Sequence, residues 1–171
     1  MIRLCILLLS ATCPCEDRID IDDLTGLWQA NTCIGSGLSD VWFFMPDGAF
    51  LFRTSSMNGS DRLRERSGTF DIFGDTLRLS VTGKIVEEGG FLELYDGSAS
   101  IGTDSILVDT ETVLRAVEPS ETMDLIIDFL GIETMENKPD LPDDLFRLDL
   151  DGTTYWRFTT DPESARELLR I

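Results

Sequence analysis

Short alternating segments joined by glycine-containing turns are the feature of this sequence that most restricts its fold. In the segment Ser67–Val81, Gly74 and Asp75 form a two-residue turn of the type that has glycine first. Folding about this turn brings one set of apolar side chains to a single face: Phe70, Ile72, Leu77, Leu79 and Val81. A period of two is typical of antiparallel strands that bury one face, so the segment predicts an all-β domain.

A second hairpin is predicted over Leu145–Phe158, because an Asp-Gly pair at its centre is a strong signal for a two-residue turn. This turn pairs Leu148 with Tyr155 and places Arg157 on the same inner face. An arginine on a core-facing surface requires a partner, since burial of an isolated charge is costly.

The third predicted hairpin, Asp40–Thr54, turns at Pro46–Gly48 and is apolar on both faces. A three-residue loop places four aromatic residues on one face: Trp42, Phe44, Phe50 and Phe52. The opposite face carries Val41, Phe43, Met45, Ala49 and Leu51. Both faces are therefore expected to be covered by other parts of the chain.

Further apolar runs extend the β pattern. Four more strands are predicted, at Leu24–Asn31, Leu92–Tyr95, Ile106–Asp109 and Thr112–Val117. With the hairpins they make about ten strands, which is enough to close a barrel or to form a sandwich. The segment Glu133–Asp144 contains Pro139 and Pro142 and is predicted to be a loop.

Two segments break the strand pattern. Apolar residues recur at helical spacing in Ser120–Leu130, and Gly131 follows as a stop signal, so an inserted helix is predicted there. The residues at this spacing are Met123, Ile126, Ile127 and Leu130. A short C-terminal helix is predicted from residues 161–163 to Arg170, because Asp-Pro-Glu supplies a cap, a first-turn proline and a first-turn acid.

The charge balance excludes several functions. The 171 residues include 32 acidic and 14 basic side chains but no histidine, and the net charge is −18. Catalysis through imidazole and metal binding by histidine are thereby excluded, and a strong negative field repels nucleic acid. No other set of nucleophile, base and metal ligands is recognisable, so we expect neither enzymatic activity nor a cofactor or metal site.

Residues 1–12 have the order of a secretory signal peptide: a positive start, the apolar run Leu4–Leu9 and then small residues. The apolar run is too short to span a bilayer. We therefore expect an exported protein in which residues 13–23 form a tether and residues 24–171 form a single domain.

The number of cysteines that remain after cleavage, even or odd, bears on where the signal segment ends. The sequence before Cys13 resembles a bacterial lipobox, which implies that Cys13 is lipidated and anchors the protein to a membrane. Cys15 and Cys33 then remain and are able to form a disulfide in an oxidising compartment. The alternative is cleavage after Ala11, which leaves three cysteines and a periplasmic or secreted protein without an anchor.

The β region also resembles the lipocalin-like barrels of bacterial envelope proteins. The resemblance rests on the Gly26-x-Trp28 motif, on the aromatic strand with its Pro-Asp-Gly turn, and on the hairpin that follows. In that family the tryptophan lies at the closed end of the barrel, where an arginine from a late strand packs across it. The resemblance therefore implies an antiparallel up-and-down barrel with a structural Trp28–Arg157 pair, in which the cation stacks on the indole.

Two functions are compatible with such a barrel. In the first, the lumen binds a small apolar or amphipathic ligand. The expected lining is Phe70, Ile72, Leu77, Leu79 and Tyr155. In the second, large side chains fill the barrel, and the chain is an accessory or inhibitory module that binds an envelope protein through the aromatic hairpin or residues 118–144.

One group of arginines stands out in this acidic chain. It is a candidate rim for an acidic head group or an acidic partner, because guanidinium groups bind carboxylates and phosphates in a bidentate manner. Its members are Arg53, Arg62, Arg64 and Arg66.

Overall fold

The computed structural model describes residues 19–31, 39–94, 105–134 and 144–169. Eight antiparallel strands close into a barrel in sequence order, with one short helix before them and one after. The strands are β1 Gly26–Gln29, β2 Val41–Phe44, β3 Ala49–Arg53, β4 Leu63–Phe73, β5 Thr76–Leu94, β6 Ser105–Thr134, β7 Asp144–Leu150 and β8 Thr153–Thr159. The helices are α1 Ile21–Leu24 and α2 Pro162–Leu169. The predicted antiparallel barrel is thus confirmed, with β8 paired to β1.

The hairpin β4–β5 has the register predicted from its turn. Phe70 lies opposite Leu79, and Asp71 lies opposite Arg78. Leu79 is fully buried, whereas Asp71 and Arg78 are exposed on the outer face. Arg78 forms its bidentate ion pair with Asp124 of β6, at 2.7 and 2.8 Å, so the outer face links β5 to β6.

The hairpins β7–β8 and β2–β3 also have their predicted registers. Leu148 lies opposite Tyr155, and Arg157 follows two residues later on the same face. Trp42 lies opposite Phe52, and both side chains belong to the buried cluster inside the barrel. Both predicted registers are therefore confirmed. They were predictable because each depends on a short local turn.

The helix α2 covers the outer face of β1, β2 and β3. Asp161 caps it by accepting a hydrogen bond from the Ser164 backbone N–H at 2.9 Å, and Pro162 begins it. Ala165 and Leu169 pack against an outward-facing apolar set: Leu27, Val41, Phe43 and Leu51. The predicted C-terminal helix is confirmed as far as Leu169, and both faces of the third hairpin are covered.

The helix predicted over residues 120–130 is wrong, because this segment belongs to the 30-residue strand β6. Residues 121–126 pair with β5 and residues 127–134 pair with β7, so strand pairing overrides the helical spacing. Ile126 and Leu130 are exposed. The side chains that pack inside the barrel come from alternate positions: Met123, Leu125, Ile127 and Phe129.

Other predicted strands merge into these longer elements. Ile106–Asp109 and Thr112–Val117 are parts of β6, and Leu92–Leu94 are the end of β5. The described residues therefore form eight strands, fewer than the number predicted. Glu133 belongs to β6, and residues 135–143 of the predicted loop lie outside the described residues.

β5 and β6 continue as a pair beyond the body of the barrel. β4 accompanies β5 only as far as Val86, and from Glu87 onward the strand partner of β5 is β6. We call residues Glu87–Leu94 and Ser105–Thr112 the arm. Because neighbouring strands alternate in direction, the arm extends from the end of the barrel opposite α1.

Candidate functional site

The end of the barrel next to α1, here called the closed end, is sealed by the helix. Trp28 is fully buried, and its indole N–H donates to the Leu24 carbonyl at 2.6 Å. Leu24 is itself fully buried in the interior cluster. Asp20 and Asp23 form a capping box at the start of α1, which explains why so short a helix forms here.

Arg157 lies between two aromatic rings at the closed end. Its guanidinium carbon is 5.3 Å from the ring centre of Trp28 and 4.2 Å from that of Phe146. One terminal nitrogen donates to the Asp23 carbonyl at 2.8 Å. Burial lowers the pKa of Arg157, and the charge of Asp23 opposes that shift. The side chain therefore links β8 to β1, to β7 and to the segment before β1.

The five candidate lumen residues are part of a continuous core. Four of them are at most 5% exposed and belong to one buried cluster: Phe70, Leu77, Leu79 and Tyr155. The fifth, Ile72, is half-buried and packs against this cluster. Burial raises the pKa of the Tyr155 hydroxyl, as expected for a phenol in apolar surroundings.

Aromatic rings fill much of the interior. Trp42 stacks on Phe44 with ring centres 5.5 Å apart, and it lies 4.4 Å from Phe52. Phe44 in turn meets Phe70 edge-on at 5.1 Å. These spacings are those of rings in direct contact. These rings belong to the buried cluster inside the eight-stranded barrel.

The surface carries a cleft that two of the candidate lumen residues border. It lies between α1 and β4 and has a volume of about 470 Å³. Its apolar lining comprises Ile19, Ile21, Phe70 and Ile72. Two of the candidate lumen residues therefore border a surface cleft, while Leu77, Leu79 and Tyr155 are enclosed by other side chains.

Two arginines of the candidate rim hold the base of the arm. Arg62 donates to the backbone carbonyls of Glu87 at 3.1 Å and Gly89 at 2.8 Å. Arg64 forms an ion pair with the Glu87 carboxylate at 3.4 Å. A hydrogen bond from Thr110, together with Arg64, holds the pKa of Glu87 below its usual range. These two arginines therefore stabilise the base of the arm.

The other two arginines of the rim also contact this chain. Arg53 pairs with Glu65 at 3.0 Å and donates to the Leu169 carbonyl at 2.7 Å, which fixes the end of α2. Arg66 lies opposite Phe52 and therefore points inward, with one terminal nitrogen 3.4 Å from the Met123 sulfur. The four arginines predicted to receive an acidic partner therefore all contact other groups of this same chain.

The arm exposes large apolar side chains. Phe91 is 56% exposed, Leu92 57% and Leu94 80%. Full burial of one such side chain is worth about 1.5–3 kcal/mol. Sequence reasoning assigned Leu92 to a strand but did not identify the arm, because the arm depends on pairing between segments whose lengths exceed those of their neighbours.

The arm bends near its base. Gly89 and Gly90 have φ angles of 70° and 59°, and Asp109 on the facing strand has a φ of 55°. Three left-handed residues at one level change the direction of a two-stranded ribbon. Beyond the bend, the Leu107 backbone N–H donates to the carbonyl of Gly59 in the β3–β4 connection at 2.9 Å.

Some predicted sites are outside the part of the chain that the structure describes. Cys13, Cys15 and Cys33 are among them, so lipidation and the disulfide remain predictions. Within the described ranges, no three acidic or cysteine side chains form a group that could hold a metal ion. The helices in these ranges are too short and too polar to cross a membrane.

Comparison of the chain with protein-family models, with curated proteins and with solved structures finds no match. The assignment of function therefore rests on the chain's own side chains and on their surroundings.

Proposed function

We propose that this chain is a non-enzymatic, lipocalin-like module that binds a protein partner through the arm, while the filled barrel serves as a rigid support. The observation that carries the proposal is the exposure of Phe91, Leu92 and Leu94 on an element that projects from a packed core. Clustered apolar side chains on a projecting surface are typical of sites for protein association.

Three features support a lipocalin-like assignment for the barrel. The strands follow one another in order around a ring of eight. Trp28 lies in the first strand, within the Gly-x-Trp motif. Arg157 of the last strand stacks on it at 5.3 Å. Residues 1–12 support export, so we propose an envelope protein as the partner, with Cys13 as the anchor of the lipidated form.

A small apolar or amphipathic ligand is the second candidate, and one observation favours it. The cleft between α1 and β4, of about 470 Å³, falls within the range of small-molecule sites and has Phe70 and Ile72 in its lining. The interior favours the protein partner instead, because a ligand there would have to displace packed aromatic rings.

Site-specific photo-cross-linking in the native host tests the protein-binding function. A photoreactive phenylalanine at position 91 is expected to give one protein adduct in high yield. Phe73 is the matched control, because it is 54% exposed against 56% for Phe91 and lies at the closed end. Adducts at position 73 but not at position 91, or at neither position, would contradict the proposal.

A further inference from the structure

One edge of β6 is paired and the other is open. β5 lies along β6 from Ser105 to Ile126, whereas β7 joins the opposite edge only from Ile127 onward. Among the described residues, no strand pairs with that opposite edge over Thr110–Ala116, which we call the open edge. A row of unpaired N–H and C=O groups is a template for another strand.

The direction of the backbone groups at the open edge follows from a neighbouring contact. In an antiparallel ladder, alternate residues direct both backbone groups to the same side. The Glu87 N–H bonds the Arg62 carbonyl at 2.7 Å, so the groups of Glu87 face away from β6, and those of its strand partner Thr112 face away from β5. By alternation, the groups of Leu114 and Ala116 face the same way. On the far side of Asp109, the Leu107 N–H also faces away from β5 and bonds the Gly59 carbonyl at 2.9 Å. This side of β6 thus already accepts one backbone partner.

Two irregularities set the length of the open edge. At one end, Asp109 has a φ of 55°, which bends the strand. At the other, residues 117–120 form a bulge opposite the single residue Thr82, and Pro119 within it has no N–H. The residues between these points span about 24 Å at roughly 3.4 Å each, the length of an ordinary strand.

The surface around the open edge is acidic. Asp109, Glu111 and Glu118 are exposed, and Glu111 lies opposite Glu88 of β5. Arg115 forms a bidentate pair with Glu88, at 2.7 and 2.6 Å, so among the described residues Glu111 has no cation of its own. A second copy of the chain brings the same acids and a net charge of −18, which opposes self-pairing.

We propose that the partner contributes an extended segment rich in lysine or arginine, which adds as a strand to the open edge. Its backbone bonds the groups of Thr112, Leu114 and Ala116, and the carboxylates of Asp109, Glu111 and Glu118 select its basic side chains. This inference rests on the proposed function, since it names the kind of segment that binds beside the arm.

A capped peptide of alternating lysine and threonine, as long as the open edge, is the probe. The same peptide with glutamate in place of lysine is the control. The basic peptide is expected to bind at low ionic strength and to slow amide hydrogen exchange at Thr112, Leu114 and Ala116. No binding of the basic peptide, equal binding of the acidic one, or binding without slowed exchange at these amides would overturn the proposal.

Substitutions at Leu114 test the backbone contact. Leu114→Pro removes an N–H at the open edge but no hydrogen bond to β5, and Leu114→Ala is its control because alanine keeps the N–H. The proline variant is expected to bind the basic peptide at least about tenfold more weakly than the alanine variant. Equal affinities of the two folded variants would overturn strand addition.

A charge variant covers the case in which the proline variant does not fold. Glu111→Lys is expected to weaken binding of the basic peptide about fivefold. Asp128→Lys makes the same charge change elsewhere on β6, where the strand is paired with β7, and is expected to change affinity less than about twofold. Equal losses in the two variants would show that only the total charge matters, which contradicts the proposal.

Two further outcomes separate this inference from its alternatives. The chain alone is expected to sediment as a monomer, and a dimer that Leu114→Pro dissociates would show that a second copy takes the open edge. A position-91 cross-link that survives Leu114→Pro would overturn strand addition and leave the proposed function intact. Absence of that cross-link from the unsubstituted chain would count against the proposed function itself.

Discussion

Arg157 joins several parts of the chain through contacts of different kinds. Its guanidinium group lies over the rings of Trp28 and Phe146 and donates to the Asp23 carbonyl. Its inward position was predictable from the turn at residues 151–152, because a two-residue hairpin fixes which side chains share a face. The bond to Asp23 was not predictable, since it depends on how the chain before β1 folds across the barrel end.

Replacement of Arg157 by alanine is expected to lower the free energy of unfolding by about 2 kcal/mol, because cation–π contacts and a charged hydrogen bond are lost together. Denaturant titration followed by tryptophan fluorescence measures this change. Arg166→Ala is the control, since Arg166 pairs with Glu163 on the exposed surface of α2. Such an exposed ion pair contributes about 0.5 kcal/mol or less to the free energy of unfolding. Equal effects of the two substitutions would show that the contacts of Arg157 do not stabilise the closed end.

Ionisation of the Tyr155 hydroxyl is expected to make the free energy of unfolding depend on pH in the alkaline range. Burial raises the pKa of its hydroxyl in the folded state above the unfolded value of about 10. The contribution of this hydroxyl to the free energy of unfolding is complete below the unfolded pKa. It is lost as the pH rises through the folded pKa, because the unfolded chain releases a proton that the folded chain retains. Tyr155→Phe is expected to lose less stability than the unsubstituted chain between about pH 9 and 11. Parallel unfolding curves for the two proteins would contradict this.

Among the elements, the hairpins with short turns were predictable and the long strand β6 was not. The turn at Gly74 fixes the pairing of β4 with β5 from Phe73 back to Gly68, since this register is local, and register shifts follow beyond Gly68. Over residues 120–130, apolar side chains satisfy both a helical and an alternating period. The choice depends on hydrogen bonds to β5 and β7, which are distant in sequence and leave no local signal.

Adjacent isoleucines in β6 distinguish a strand from a helix by experiment. Ile127 is 2% exposed, whereas Ile126 is 54% exposed on the other face. Ile127→Ala is therefore expected to cost about 2–5 kcal/mol of unfolding free energy, and Ile126→Ala less than about 1 kcal/mol. A helix with the predicted spacing would bury both side chains. Similar losses from the two substitutions, measured by denaturant titration, would therefore favour the helix.

At the scale of the whole molecule, a packed interior is combined with an acidic surface and a projecting arm. The composition predicted the first two, because apolar content and net charge are sums over the sequence. The arm was not predictable, since it arises where β5 with 19 residues and β6 with 30 residues extend past their shorter neighbours. The candidate lumen was predicted correctly as an inner face, but how closely its side chains pack depends on contacts across the barrel.

The net charge of −18 predicts that salt stabilises the fold. Raising the ionic strength from about 0.01 M to 0.15 M shortens the screening length from about 30 Å to 8 Å, which weakens repulsion between acidic groups. Exposed ion pairs such as Arg78–Asp124 weaken as well, but such pairs contribute little. The melting temperature is therefore expected to rise with salt. A fall would show that attractive pairs outweigh the repulsion.

The central claim is that the barrel is filled and that the arm carries the function. Native mass spectrometry of the chain, purified gently from its own host, tests this most directly. We predict a complex of the chain with one protein partner and no bound small molecule. A small molecule present at one copy per chain, without a protein partner, would contradict the claim.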